Sequence, residues 1–249
     1  VYQMGIEDAE PVIAKFYRPG RWSDDAILEE HGFTLELAER EIPAAPPLET
    51  SGRTLHLHRG YRFSISPRRG GRTPELEDGR VLETVGRFIG RIHCVGAVRP
   101  FAHRPTLDIE GFGLIPRDFL LAGGWIPGDL LPAYESVVQE ALVGVRACFE
   151  RAGDIEHLRL HGDCHRGNLI DRPGRGLAMI DFDDMMNGPA VQDVWLVLPG
   201  YAADCARELE MLLEGYERFA PFDRSSLRLV EPLRFMRMIY FLAWRARQR

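Results

Sequence analysis

Alternating and helical spacings of apolar residues divide the chain into a short β-rich beginning and a long, mainly helical remainder. Val12-Ile13-Ala14-Lys15-Phe16-Tyr17 is rich in strand formers and stops at the turn signal Arg18-Pro19-Gly20, which puts Lys15 on a strand. Ser23 or Asp24 offers an N-cap to the apolar positions Ala26, Ile27, Leu28, Phe33, Leu35 and Leu37, predicting a helix over 24–40 that Pro43, Pro46 and Pro47 terminate. Residues 54–58 and 61–65 alternate around Arg59-Gly60 as a β-hairpin. Ser66-Pro67-Arg68-Arg69-Gly70-Gly71-Arg72 then reads as a hinge. Helical periodicity follows near 77–94, 129–152, 191–198, 203–219 and 226–247, and residues 168–170 and 177–180 meet at Pro173-Gly174 as a second hairpin. The expected architecture is α+β in two lobes: a small antiparallel sheet with one helix over 1–66, then the hinge and a larger helical lobe over 67–249.

Composition narrows the classes. With 249 residues, 45% hydrophobic and 27% charged, the chain buries a sizeable core and is not a disordered protein. A net charge of −6 leaves no basic field to hold nucleic acid or an anionic membrane nonspecifically, so neither partner is expected. Arg68, Arg69 and Arg72 are a local exception, read as a solvated linker or a phosphate contact. No run approaches the ~18 apolar residues of a membrane-spanning helix. Cys94, Cys148, Cys164 and Cys205 form no CxxC pair, which predicts a reducing cytoplasm, and a monomer is expected. The start at Val1, with neither initiator methionine nor signal-peptide pattern, and the end at Arg247-Gln248-Arg249 within a helix predict a fragment.

The chemistry concentrates in His161-Gly162-Asp163-Cys164-His165-Arg166-Gly167-Asn168, followed by Ile180-Asp181-Phe182-Asp183. The pattern H-x-D-x-x-x-x-N, then a strand closing on an acid, has the spacing of a kinase catalytic loop and its metal-binding aspartate. Phosphoryl transfer needs one carboxylate to orient and deprotonate an attacking hydroxyl, and oxygen ligands to hold Mg²⁺ against the phosphates of ATP. Asp163 fits the first task; Asn168 and Asp181 fit the second. Lys15 is the only lysine of the chain, and a strand lysine can reach phosphates if a helix carboxylate directs it. Glu30 is favoured for that pairing because it shares a helix face with Phe33 and Leu37, whereas Glu29 is rotated toward solvent. Asp183 and Asp184 read as an exposed turn or as a supplement to the metal site.

A zinc hydrolase would use His161, Asp163 and His165 as ligands, but no histidine follows His165, and Lys15, Asn168 and Asp181 would have no task. A noncatalytic nucleotide-binding pseudokinase is disfavoured by the retained catalytic-loop residues.

The loop, together with Ile180-Asp181-Phe182-Asp183-Asp184, resembles the signature of the aminoglycoside phosphotransferase and choline kinase superfamily, which shares the bilobal protein-kinase-like fold. Lys15-Phe16-Tyr17-Arg18-Pro19, Ile27-Leu28-Glu29-Glu30-His31, Asn187-Gly188-Pro189-Ala190-Val191-Gln192-Asp193 and Glu231-Pro232-Leu233-Arg234 resemble the bacterial stress response kinase A (YihE) family, nearly end to end. The resemblance implies an ATP- and Mg²⁺-dependent serine/threonine protein kinase of the bacterial cytoplasm, acting in stress response and transferring phosphate to protein hydroxyls. It carries the catalytic aspartate to Asp163, the metal ligands to Asn168 and Asp181, and the phosphate-anchoring lysine to Lys15. His161 becomes the histidine packed beneath the loop, Asp193 the helix aspartate that braces it, and Ser66 to Arg68 the backbone facing adenine.

Two departures matter. The phosphate-covering loop of the family would precede Val1, and only residues 182–192 separate Asp181 from Asp193, too few for a long activation segment. That short segment is shared with small-molecule hydroxyl kinases of the aminoglycoside, choline and homoserine type, the alternative acceptor class.

Overall fold

The computed structural model describes residues 1–7 and 9–248; Arg249, part of the predicted fragment end, lies outside them. The first quarter is an antiparallel sheet in the order β1-β2-β4-β3, made of β1 (Tyr2–Ile6), β2 (Ala9–Phe16), β3 (His56–His58) and β4 (Tyr61–Pro67). The hairpin lies where alternation puts it. Strand β1 is an addition: all five of its residues are exposed, so it has no apolar face to betray it in the sequence. Along β2, Val12 and Ala14 are buried, whereas Ile13 and Lys15 line a cavity, with Lys15 opposite Ser64 on β4.

Helix α1 (Asp24–Glu39) begins where Ser23 caps the Ala26 N–H, with Asp24 and Asp25 in the first turn at the positive end of the helix dipole. Its face of Ala26, Ile27, Glu30, Phe33 and Leu37 is buried.

Beyond Pro67 the chain is stitched to the larger part by an antiparallel bridge, with Arg72 and Asp171 exchanging backbone hydrogen bonds at 3.0 and 2.7 Å. That part comprises α2 (Gly79–Gly96), a wide π-type turn (Glu110–Leu114), α3 (Ile115–Ala122), α4 (Leu131–Ala152), β5 (His157–Leu160), β6 (Leu169–Arg172), β7 (Gly176–Met179), β8 (Met186–Pro189), α5 (Val191–Trp195), α6 (Ala206–Tyr216) and α7 (Val230–Ala246). Its core centres on Leu82, Val85, Ile89, Ile92, Leu160, Met179, Leu212 and Tyr216. Helices α2 and α6 touch backbone to backbone, since a Cβ at Gly86 would strike the Leu212 carbonyl.

Two strand pairs position the chemistry. β5 pairs with β8, Leu160 opposite Met186, and β6 with β7, Leu169 opposite Met179. The loop leaving β5 and the segment leaving β7 therefore run side by side, joined where the Ile180 N–H donates to the Asn168 carbonyl at 3.0 Å. Among the described residues no helix is long and apolar enough to cross a membrane.

Candidate active site

The loop after β5 is held from below. Asp193 on α5 is buried and accepts the backbone N–H groups of His161 and Gly162, both at 2.9 Å, while His93 Nε2 lies 3.1 Å away. Burial alone would raise the Asp193 pKa; the His93 hydrogen bond, the His93 and His161 rings and the His161 amide outweigh it and hold the carboxyl below the usual range. Gly162 has φ +81°, and a Cβ there would collide with the Asp184 carbonyl, so only glycine fits this turn. His161 is fully buried and uses both ring nitrogens, Nε2 with the Ile180 carbonyl at 3.0 Å and Nδ1 with the Asp163 N–H at 3.2 Å. No ring nitrogen is left for a metal, and among the described residues no group of three or more His, Cys, Asp or Glu is placed to bind one, which removes the zinc site.

Asn168 Nδ2 donates to the Asp163 carbonyl at 2.9 Å and approaches its Oδ2 at 3.4 Å. The other carboxylate oxygen, Oδ1, is held at 2.5 Å by Arg237 of α7. His165 Nε2 stands 3.5 Å from Oδ2.

The Lys15 ammonium lies between two carboxylates, Glu30 Oε1 at 2.7 Å and Asp183 Oδ1 at 2.9 Å. Burial would lower the Lys15 pKa, but Glu30 and Asp183 together raise it, so the amine stays protonated. Arg104, its side chain fully buried, supports both acids: Nη2 reaches Glu30 at 3.2 Å and Nη1 the Asp183 carbonyl at 2.6 Å. Arg21 contacts Asp183 and Asp184, each at 2.5 Å. Asp183 is therefore no exposed turn; against the burial that would raise it, Lys15 and Arg21 pull its pKa below the ordinary value. Glu29 does not face open solvent but accepts the backbone N–H groups of Ala102 and His103 at 2.6 and 2.8 Å.

Two cavities flank this constellation. One, of about 290 Å³, is bordered by Asp163, Asp181, Asp183, Asp184 and Arg237 and walled by Trp22, Phe112, Tyr240, Phe241 and Trp244. The other, of about 310 Å³, holds Lys15, Glu30, Ser66, Arg68 and again Asp181. Asp181 thus borders both, in a left-handed backbone conformation (φ 60°, ψ 64°). Unlike Asp163, Asp183 and Asp184, it has no ion-pair partner among the described residues. A carboxylate in that state suits a hard divalent cation, and it follows directly on Ile180, whose N–H bonds the backbone of Asn168, an amide whose side-chain nitrogen is already committed to the Asp163 carbonyl. Asn168 borders neither cavity and meets the site through Asp163.

Arg21, Arg104 and Arg237 are polar residues of the site that sequence spacing did not single out, and Asp183, read there as an exposed turn or a metal supplement, instead pairs with Lys15 and Arg21. Arg237 lies four residues after Leu233 and seven after Val230, both buried, a helical phase that turns an arginine partly inward. Arg104 sits in irregular chain and carries no such signal.

The phosphotransferase enzyme family (APH) matches residues 1–230. Stress response kinase A of Escherichia coli strain K12 is 42% identical over 248 residues, spanning 100% of this chain and 74% of that protein. A Salmonella typhimurium strain LT2 protein named serine/threonine protein kinase RdoA matches with the same identity and coverage. Among solved structures, amicoumacin kinase hAmiN in complex with AMP-PNP, Ca²⁺ and Ami superposes with a TM-score of 0.79 at 18% identity, covering 98% of this chain and 76% of that one. Choline kinase LicA from Streptococcus pneumoniae gives 0.71 at 14% identity, covering 100% and 82%.

Proposed function

We propose, on the premise that this chain belongs to the phosphotransferase enzyme family and within it to the stress response kinase A group, that it transfers the γ-phosphoryl group of ATP to serine or threonine hydroxyls of proteins in a bacterial stress response. The observation that carries the reading is Asp181, shared by a cavity containing the ammonium of Lys15 and a second cavity containing the carboxylate of Asp163. Phosphate donor and hydroxyl acceptor, one in each, meet beside it.

In this reading residues 1–66 and 67–249 are two lobes with ATP between them, adenine lying along Ser66 to Arg68. Lys15, directed by Glu30 and Asp183, binds phosphate oxygens. Asp163 orients the acceptor hydroxyl and takes its proton at Oδ2, since Arg237 occupies Oδ1. Asn168 and Asp181 would hold Mg²⁺, whose contribution is neutralising charge on the phosphates. His161 and Asp193 keep the loop backbone in place. Four unpaired cysteines among the described residues fit a reducing cytoplasm.

The aromatic walls of the Asp163 cavity favour a second acceptor class, small hydroxyl compounds. Full-length protein incubated with labelled ATP, a generic basic protein and a panel of aminoglycosides, choline and homoserine separates the two. Label on protein, lost in Asp163→Asn while nucleotide affinity persists, is the expected result. Label only on small molecules overturns the protein acceptor.

A further inference from the structure

Arg68 and Arg69 border the cavity proposed for the nucleotide, and they also border a second cavity to which the proposed chemistry gives no task. Arg68 and Arg69 meet Arg172, the last residue of β6, and Arg175, from the turn to β7, around an open cavity of about 360 Å³ on which Glu10 is the single acid among the described residues. Most arginines elsewhere in the protein contact a carboxylate or a backbone carbonyl. Among the described residues none of these four has a carboxylate within 4.0 Å; the Arg172 guanidinium reaches only the Arg175 carbonyl, at 3.4 Å.

A second observation points to a missing partner. The Nε atoms of Arg69 and Arg172 are both buried without a hydrogen-bond acceptor among the described residues, a costly state for a charged donor. Burial, with the like charges of Arg69 and Arg175, also lowers the Arg172 pKa, the response of a cation held near cations. Surface arginines that repel one another would ordinarily spread into water. Here backbone contacts keep the four attachment points together: the Arg72–Asp171 bridge fixes the hinge against β6, the Arg68 N–H donates to the Pro11 carbonyl at 3.3 Å, and the β6–β7 turn closes through the Arg175 N–H and the Arg172 carbonyl at 2.8 Å.

We propose that this cluster is a binding site for a small oligophosphate anion that bridges the hinge and the β6–β7 turn. Four guanidinium groups around a space much larger than one phosphate suit a chain of two or three phosphoryl groups, because each planar fork can take two oxygens of one phosphate. The anion supplies acceptors to the two orphaned Nε atoms and cancels the repulsion between the arginines.

Inorganic triphosphate is titrated calorimetrically into the full-length protein, without added metal, at two salt concentrations. Saturable 1:1 binding that weakens with salt is expected. The double variant Arg172→Gln/Arg175→Gln should bind at least about tenfold more weakly, and Arg172→Lys/Arg175→Lys should fall between it and the parent, as expected when charge is kept but the paired hydrogen bonds of each fork are lost. Arg175→Glu, at an exposed turn position, repeats the test with little risk to folding. Absence of saturable binding, or unchanged affinity in the glutamine and glutamate variants, overturns the site.

Discussion

Arg237 holds one oxygen of Asp163 at 2.5 Å, across 74 residues of sequence. The last helix is thereby tied to the loop bearing the proposed base, and one carboxylate oxygen is held by arginine while the other has only the longer contacts to Asn168 and His165, at 3.4 and 3.5 Å.

Removing that tie should slow transfer without touching the donor side. Arg237→Gln is expected to lower kcat about tenfold or more, the scale of one charge-assisted hydrogen bond, with the KM for ATP unchanged. Steady-state kinetics with each substrate varied checks this; an unaltered kcat would leave the contact structural only.

Lys15→Arg keeps the charge but not the shape. The ammonium fits between Glu30 and Asp183 at 2.7 and 2.9 Å, in a gap a planar guanidinium cannot share with phosphate oxygens. Phosphoryl transfer should fall by roughly two orders of magnitude or more, as for loss of a main electrostatic contact to phosphate. Activity close to that of the parent would reduce Lys15 to an ordinary strand residue.

Glu30→Gln and Glu29→Gln should differ in stability although the residues are adjacent. Glu30 compensates Lys15 and the fully buried Arg104, so its loss should cost about 3 kcal/mol. Glu29 accepts two backbone amides at a partly exposed position, and glutamine can still accept one, so about 1 kcal/mol is expected. Urea denaturation of both variants gives the comparison.

His31 makes folding sensitive to mild acid. Its ring bonds to the Tyr17 hydroxyl and Thr54 Oγ1, both at 2.8 Å, and burial, then Lys15, Arg104 and His56, pull its pKa from 6.5 down to about 4. The unfolded chain therefore takes up a proton that the folded one refuses. Stability present above about pH 6.5 should decline as pH falls toward 4, by a few kcal/mol at most. His31→Gln should flatten that segment of a stability–pH curve; an unchanged slope would assign it to other groups.

Spacing and helix phase revealed the Lys15–Glu30 pair and the 161–181 constellation because each rests on local periodicity or fixed offsets in sequence. The missing parts rest on tertiary contacts. Asp183 looked like a turn residue because its partners, Lys15 and Arg21, lie more than 160 residues earlier. Helix α3 and the wide turn before it went unread because Gly111, Gly113 and Pro116 break the periodicity. Strand β8, Met-Asn-Gly-Pro, has almost no intrinsic strand preference and exists through pairing with β5 and the Asn187 contacts to Phe101.

The backbone at Asp181 has φ 60° and ψ 64°, a shape natural to glycine and uphill for aspartate by about 1 kcal/mol. Stability and chemistry thus make opposite demands on a single residue. Selection for a sturdier fold would drift toward glycine there, while any lineage that needs the carboxylate must carry the penalty and find its stability elsewhere, as in the close helix contact at Gly86. The position can therefore report on descent: a relative with glycine there would have gained a more relaxed fold while giving up the carboxylate shared by both cavities.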